Sequence, residues 1–97
     1  MIPPKFELPL PQTTTLIEGT ANHQLSCLVK GNPLPTVEWF KNDVNIDTSS
    51  EFIITFNNGL CILKFDEVML EDAGVYTCKA INKAGEAETK CELLVEG

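Results

Sequence analysis

Four cysteines, one histidine and fourteen acids are the residues of this 97-residue chain whose types could do chemistry. The densest set lies in LEDAGVYTCKAINKAG, residues 70–85, where Asp72, Gly74, Tyr76 and Cys78 occupy every second position. Zinc bound by thiolates calls for closely spaced ligand pairs. Cys27, Cys61, Cys78 and Cys91 are separated by 34, 17 and 13 positions, without a C-x2–4-C knuckle, and His23 is adjacent in sequence to none of them. That pattern argues against a metal site. The single histidine supports no Ser/His/Asp relay, and Glu86, Glu88 and Glu92 read as the exposed side of a strand. The acids show no regular ligand spacing of the kind a calcium loop needs. The chain is therefore expected to be non-catalytic and to carry no cofactor, and the 70–85 cluster is expected to serve a scaffold.

The formal net charge of −7 argues against partners that attract clustered Lys and Arg, namely nucleic acid and anionic membranes. No apolar run approaches the ~20 residues of a membrane span. The opening MIPPKFELPLP lacks the basic-then-apolar layout of a signal peptide, and Met1 reads as the start of a piece excised from a larger multidomain protein. With 43% hydrophobic residues, the length and composition fit one packed domain, monomeric when isolated.

The elements that must position the cluster are strands. LSCLVKG, TVEWFK, CILKF and KCELLV each alternate apolar and polar residues, and no segment sustains a helical period. Turn chemistry separates them: GNPLP at 31–35, NNG at 57–59 between FIITF and LCILKF, and NKAGE at 82–86. The proline-rich start can serve only at a sheet edge, and TTTLIEG follows it as a second short edge segment, as though one strand switches sheets. The expected architecture is an all-β, two-sheet sandwich. Shared parity predicts a core of Leu25, Cys27, Val29, Val37, Trp39, Leu63, Phe65, Val68, Tyr76, Cys78, Ala80 and Leu93.

Cys27 and Cys78 lie 51 positions apart, Trp39 stands 12 after the first, and Tyr76 two before the second. These relations resemble the immunoglobulin fold, with the cysteines on strands B and F, the tryptophan on strand C and a tyrosine corner at Tyr76. GNPLPTVEWFKND and LEDAGVYTCKAINKAGEA are similar to the two signatures of its intermediate, or I-set, subclass. Only a short segment, roughly 42–50, would separate strands C and D. The resemblance implies an I-set β-sandwich of Greek-key topology over 1–97 (about 4–96). In it Cys27 and Cys78 face each other under the indole, and Asp72 and Gly74 shape the turn before strand F.

PPKF, NKAGEAETKCELLV and the two additional cysteines are most similar to the tandem Ig domains of titin and related giant sarcomeric proteins. That likeness implies a structural and mechanical link in an intracellular array. Its partners would be neighbouring Ig domains of the same chain and other sarcomeric proteins, and its address the I-band. The alternative is an extracellular adhesion or receptor domain. Against it, none of the asparagines begins an N-x-(S/T) sequon.

Parity points all four sulfurs inward, where thiols behave as small hydrophobes suited to a reducing compartment. If the F–G hairpin turns between Ala84 and Gly85, Cys91 faces Cys78 on the neighbouring strand. The resemblance then implies a redox-active set of Cys27, Cys78 and Cys91 on strands B, F and G, leaving Cys61 as the odd one out.

Overall fold

The computed structural model describes residues 1–97. Nine strands run β1 Ile2–Leu8, β2 Thr13–Ile17, β3 Gln24–Asn32, β4 Thr36–Lys41, β5 Val44–Asn45, β6 Phe52–Asn57, β7 Leu60–Phe65, β8 Gly74–Asn82 and β9 Gly85–Glu96. One sheet has the order β1-β3-β7-β6 and the other β2-β9-β8-β4-β5. One short 3-10 turn, Leu70–Asp72, carries the chain from the first sheet to the second. No helix is long and apolar enough to cross a membrane.

The first strand changes sheets as its prolines require. β1 lies at the edge of one sheet, antiparallel to β3, and its register shifts twice between Ile2 and Leu8. Pro9 and Pro11 then break the strand, and β2 resumes in the other sheet, parallel to β9. Between the two prolines, Leu10 turns into the core with 4% exposure, and its amide donates to Thr89 Oγ1 at 3.0 Å. An apolar residue flanked by prolines shows no periodicity, and so the sequence gives no hint that it is buried.

The NNG hairpin closes with Asn57 opposite Leu60. Asn58 and Gly59 occupy the turn with φ of 48° and 94°, the left-handed conformations that Asn and Gly tolerate. A Cβ on Gly59 would also clash with the Val29 carbonyl oxygen.

The core holds eleven of the twelve residues expected from parity; Val37 is only partly buried, packed against the cluster from its margin. Ile46 and Phe52 join Leu10 as additions, and Cys61 and Cys91 are buried as the inward parity of all four sulfurs predicts. Phe52, Phe65 and Tyr76 form an edge-to-face trio, with centroids 5.3 to 6.0 Å apart and interplanar angles of 79° to 88°. That geometry sets each ring's electropositive edge on its neighbour's face.

Candidate functional site

Trp39 and Tyr76 organise the site from the middle and one end of the β4–β8 pairing. Trp39 lies directly opposite Cys78 and is fully buried. Its backbone amide donates to Asp47 Oδ1 at 2.8 Å, but its indole Nε1 has no acceptor. Tyr76 is also fully buried, and its hydroxyl donates to the Asp72 carbonyl oxygen at 2.7 Å, tying the start of β8 back to the 3-10 turn. Asp72 in turn accepts the Met69 amide at Oδ2, 2.8 Å away, which satisfies the first free donor of that turn. Gly74 has φ of 155°, and a Cβ there would stand 2.9 Å from the Asn42 amide group. Asn42 cannot swing aside freely, because its Oδ1 accepts the Val75 amide at 2.9 Å. The Asp-Gly-Tyr spacing is thus a set of three locks on one crossing.

Burial first, and then the neighbouring Asp72 and Glu51 carboxylates, push the Tyr76 hydroxyl above its ordinary range. A raised pKa in the folded state contributes stability that is complete below the unfolded-state value near 10 and disappears as pH rises beyond it. Tyr76→Phe should cost about 1–3 kcal/mol, because the Asp72 carbonyl loses its partner. Denaturant titrations across alkaline pH check both points: the wild type should lose stability above pH 10 more steeply than the variant.

The cysteines are arranged differently from the sequence-based expectation. All four are free thiols and all are buried. The β8–β9 hairpin turns between Lys83 and Ala84, one residue earlier than assumed, with Asn82 opposite Gly85. The register therefore moves by two: Cys78 faces Thr89, and Cys91 faces Tyr76. The cause is Asn82, whose Oδ1 accepts the Ala84 amide at 2.8 Å and whose Nδ2 donates to the carbonyls of Ile2 at 2.8 Å and Pro33 at 2.9 Å. These bonds hold Asn82 as the last residue of β8, and Gly85, at φ of 154°, begins β9 instead of filling the turn. Cys91 is a separate thiol, donating to Thr14 Oγ1 at 3.6 Å.

Cys61, set aside on sequence grounds, belongs to the cluster. It lies directly opposite Cys27 in the β3–β7 pairing, and Cys78 approaches from the other sheet. The sulfurs of Cys27, Cys61 and Cys78 all lie within 4.8 Å of one another, at 2% exposure or less. Cys61 also donates to the Gly59 carbonyl at 3.4 Å. The three thiols titrate as one unit. Hydrogen bonding with Cys61, opposed by Cys78 and reinforced by burial, pushes Cys27 up to about 12. Hydrogen bonding with Cys27 and Cys61, and burial, push Cys78 up as well. On Cys61 the bonds with Cys27 and then Cys78 work in the opposite sense, against burial, and lower its pKa.

The remaining concavity is an open acidic cleft lined by Glu51, Asp66, Glu67, Glu71 and Asp72. The buried one of these, Asp72, already holds a backbone donor. Glu86, Glu88 and Glu92 are exposed along β9 or nearly so, as their parity predicts.

The immunoglobulin I-set domain family model matches residues 4–95. Myosin-binding protein H of Gallus gallus is 42% identical over 99% of this chain, which spans 18% of that protein. Smooth-muscle myosin light chain kinase of the same organism is 37% identical over 98% of the chain, which spans 5% of it. Among solved structures, the titin domains Z1Z2 in complex with telethonin superpose with a TM-score of 0.91 at 35% identity, over 98% of this chain and 47% of that one. The chain thus corresponds to one module within much longer relatives. With the sheet orders, the tyrosine corner and the buried Cys–Trp set in place, this chain belongs to the immunoglobulin I-set family.

Proposed function

We propose that this domain is a non-catalytic mechanical link in a tandem Ig array of a giant sarcomeric protein, contributing to elasticity and assembly. The observation that carries the proposal is the placement of the two chain ends. Ile2 is tied to Asn82 beside the β8–β9 turn, whereas Glu96 accepts the Glu18 amide at 2.7 Å at the far end of β9. Twelve residues of β9 separate those ends, about 40 Å at ~3.3 Å per residue, along a body 46 Å in its longest dimension. Domains whose ends emerge at opposite poles join end to end, and tension then passes lengthwise through each one. The sarcomeric relatives support the same reading. The kinase named among them shows that a parent of such modules can carry catalysis elsewhere.

Neighbouring Ig domains of the same chain are the first partners, and other sarcomeric proteins, by analogy with the titin–telethonin complex, are the second. Pulled through its termini between reference modules, the domain should unfold in one discrete force peak; gradual extension at low force would overturn the mechanical reading. An I-band address is the finer part of the proposal. A domain-specific antibody that decorated the M-line or the thick filaments instead would overturn that part alone.

A further inference from the structure

Three thiols meet in the middle of an apolar sandwich, and nothing in the array-link function uses them. Three bonds of about 2.3 Å, the length zinc–thiolate bonds take, put the sulfurs about 4.0 Å apart around a planar centre and about 3.4 Å apart around a pyramidal one with a lone pair, so sulfurs already within 4.8 Å need close by no more than about 1.4 Å. The ligands come from β3, β7 and β8, two strands of one sheet and one of the other, and no local spacing motif would reveal them.

Charge decides which centre fits. No Lys or Arg is buried anywhere in the domain, and Thr89, buried opposite Cys78, is neutral. A Cu(I) tris-thiolate would leave two negative charges there, and a Zn(II) tris-thiolate one, together with an unfilled fourth position. A trivalent centre with three thiolates is neutral and three-coordinate. We propose that Cys27, Cys61 and Cys78 form a binding site for a trivalent thiophilic centre of the arsenic(III) class. The step is a ligand exchange without oxidation or reduction: arsenous acid, As(OH)3, exchanges its three hydroxyls for three sulfurs. The three thiol protons leave with them as three molecules of water.

Two consequences follow. The product ties strands of both sheets to one atom, which stabilises the native state in proportion to occupancy, since the unfolded chain holds the sulfurs far apart. Entry is slow, because sulfurs exposed by 2% or less are reached only when the sandwich opens. A site of this kind takes up the ligand fastest when the domain is under load.

The test uses the reduced domain, kept reduced with a phosphine, and arsenite as the probe. After incubation in mild denaturant and refolding, native mass spectrometry should show a gain of one arsenic less three hydrogens. X-ray absorption at the arsenic edge should show three sulfur neighbours and no oxygen. Cys91→Ser should give the same result. Cys61→Ala removes one ligand while leaving the Cys27–Cys78 pair, and should bind at least tenfold more weakly, with oxygen appearing in the arsenic shell. Should Cys61→Ala fold poorly, the absorption spectrum of the wild type decides alone. Two sulfur neighbours instead of three, no mass gain in the wild type, or equal loss of binding in Cys91→Ser would overturn the proposal.

Discussion

Replacing Trp39 with alanine should lower the unfolding free energy by about 3–5 kcal/mol, the usual loss on deleting a large buried aromatic. A domain of this size has only ~5–15 kcal/mol in total, so the variant should be marginal or unfolded at body temperature. The indole is fully buried and stands opposite Cys78, so nothing nearby can collapse into the space without moving β4 or β8. Trp39→Phe provides a sharper comparison. The phenyl ring leaves a smaller cavity and also removes the buried Nε1–H that has no acceptor. An unsatisfied buried donor carries a cost of about 1–3 kcal/mol, which partly offsets the lost packing. Equilibrium denaturation should therefore find Trp39→Phe much closer to the wild type than to Trp39→Ala. A soluble Trp39→Ala domain melting within a few degrees of wild type would show that the core is organised around another residue.

The legible and illegible parts of this fold divide according to the range of the forces that set them. Period-2 alternation assigns each side chain to a face, and a face is a local property, so the inward set from Leu25 to Leu93 could be read directly. The roles of Tyr76 and Asp72 were legible through the I-set resemblance, and the hydrogen bonds that carry them stay within four residues along the chain, Tyr76 to Asp72 and Asp72 to Met69. Register is different. The β8–β9 turn is placed by Asn82, which is held by carbonyls 80 and 49 positions away, and no local rule could have said which pair of residues would fill the turn. The error was one residue in the turn, yet it removed Cys91 from Cys78 and set it opposite Tyr76. Cys61 was missed through the same blindness: its position opposite Cys27 depends on the β3–β7 register, fixed across 34 residues of chain. Absence of a cysteine knuckle excludes a local metal site but says nothing of sulfurs gathered by sheet packing.

Thr14→Pro should lower the force at which the domain unfolds when pulled through its ends, and Thr15→Pro should leave that force nearly unchanged. Both β1 and β2 run in the same direction as β9, so tension on the two termini slides the N-terminal strands along their partners. The β1–β3 row is interrupted by two register shifts and offers no continuous resistance. The β2–β9 row pairs five successive residues, from Thr13 opposite Glu92 to Ile17 opposite Glu96. It is extended at its ends by Glu92 N–H to the Gln12 carbonyl at 2.9 Å and Glu18 N–H to the Glu96 carbonyl at 2.7 Å. Parallel pairing alternates, so with Gln12 accepting and Glu18 donating toward β9, the amides of Thr14 and Leu16 face β9 while those of Thr13, Thr15 and Ile17 face away. Proline at 14 deletes a bond from the middle of the row, a net loss of about 0.5–1.5 kcal/mol at equilibrium. Proline at 15 imposes the same fixed φ on the same edge strand and deletes none. Under shear the bonds of a row bear the load together, so one missing from the centre divides it into two shorter rows that fail in turn. The pair of variants separates bond loss from backbone stiffening. Single-molecule pulling that found both variants equally weakened would assign the resistance to strand conformation, and equal strength in both would move the clamp away from β2 and β9.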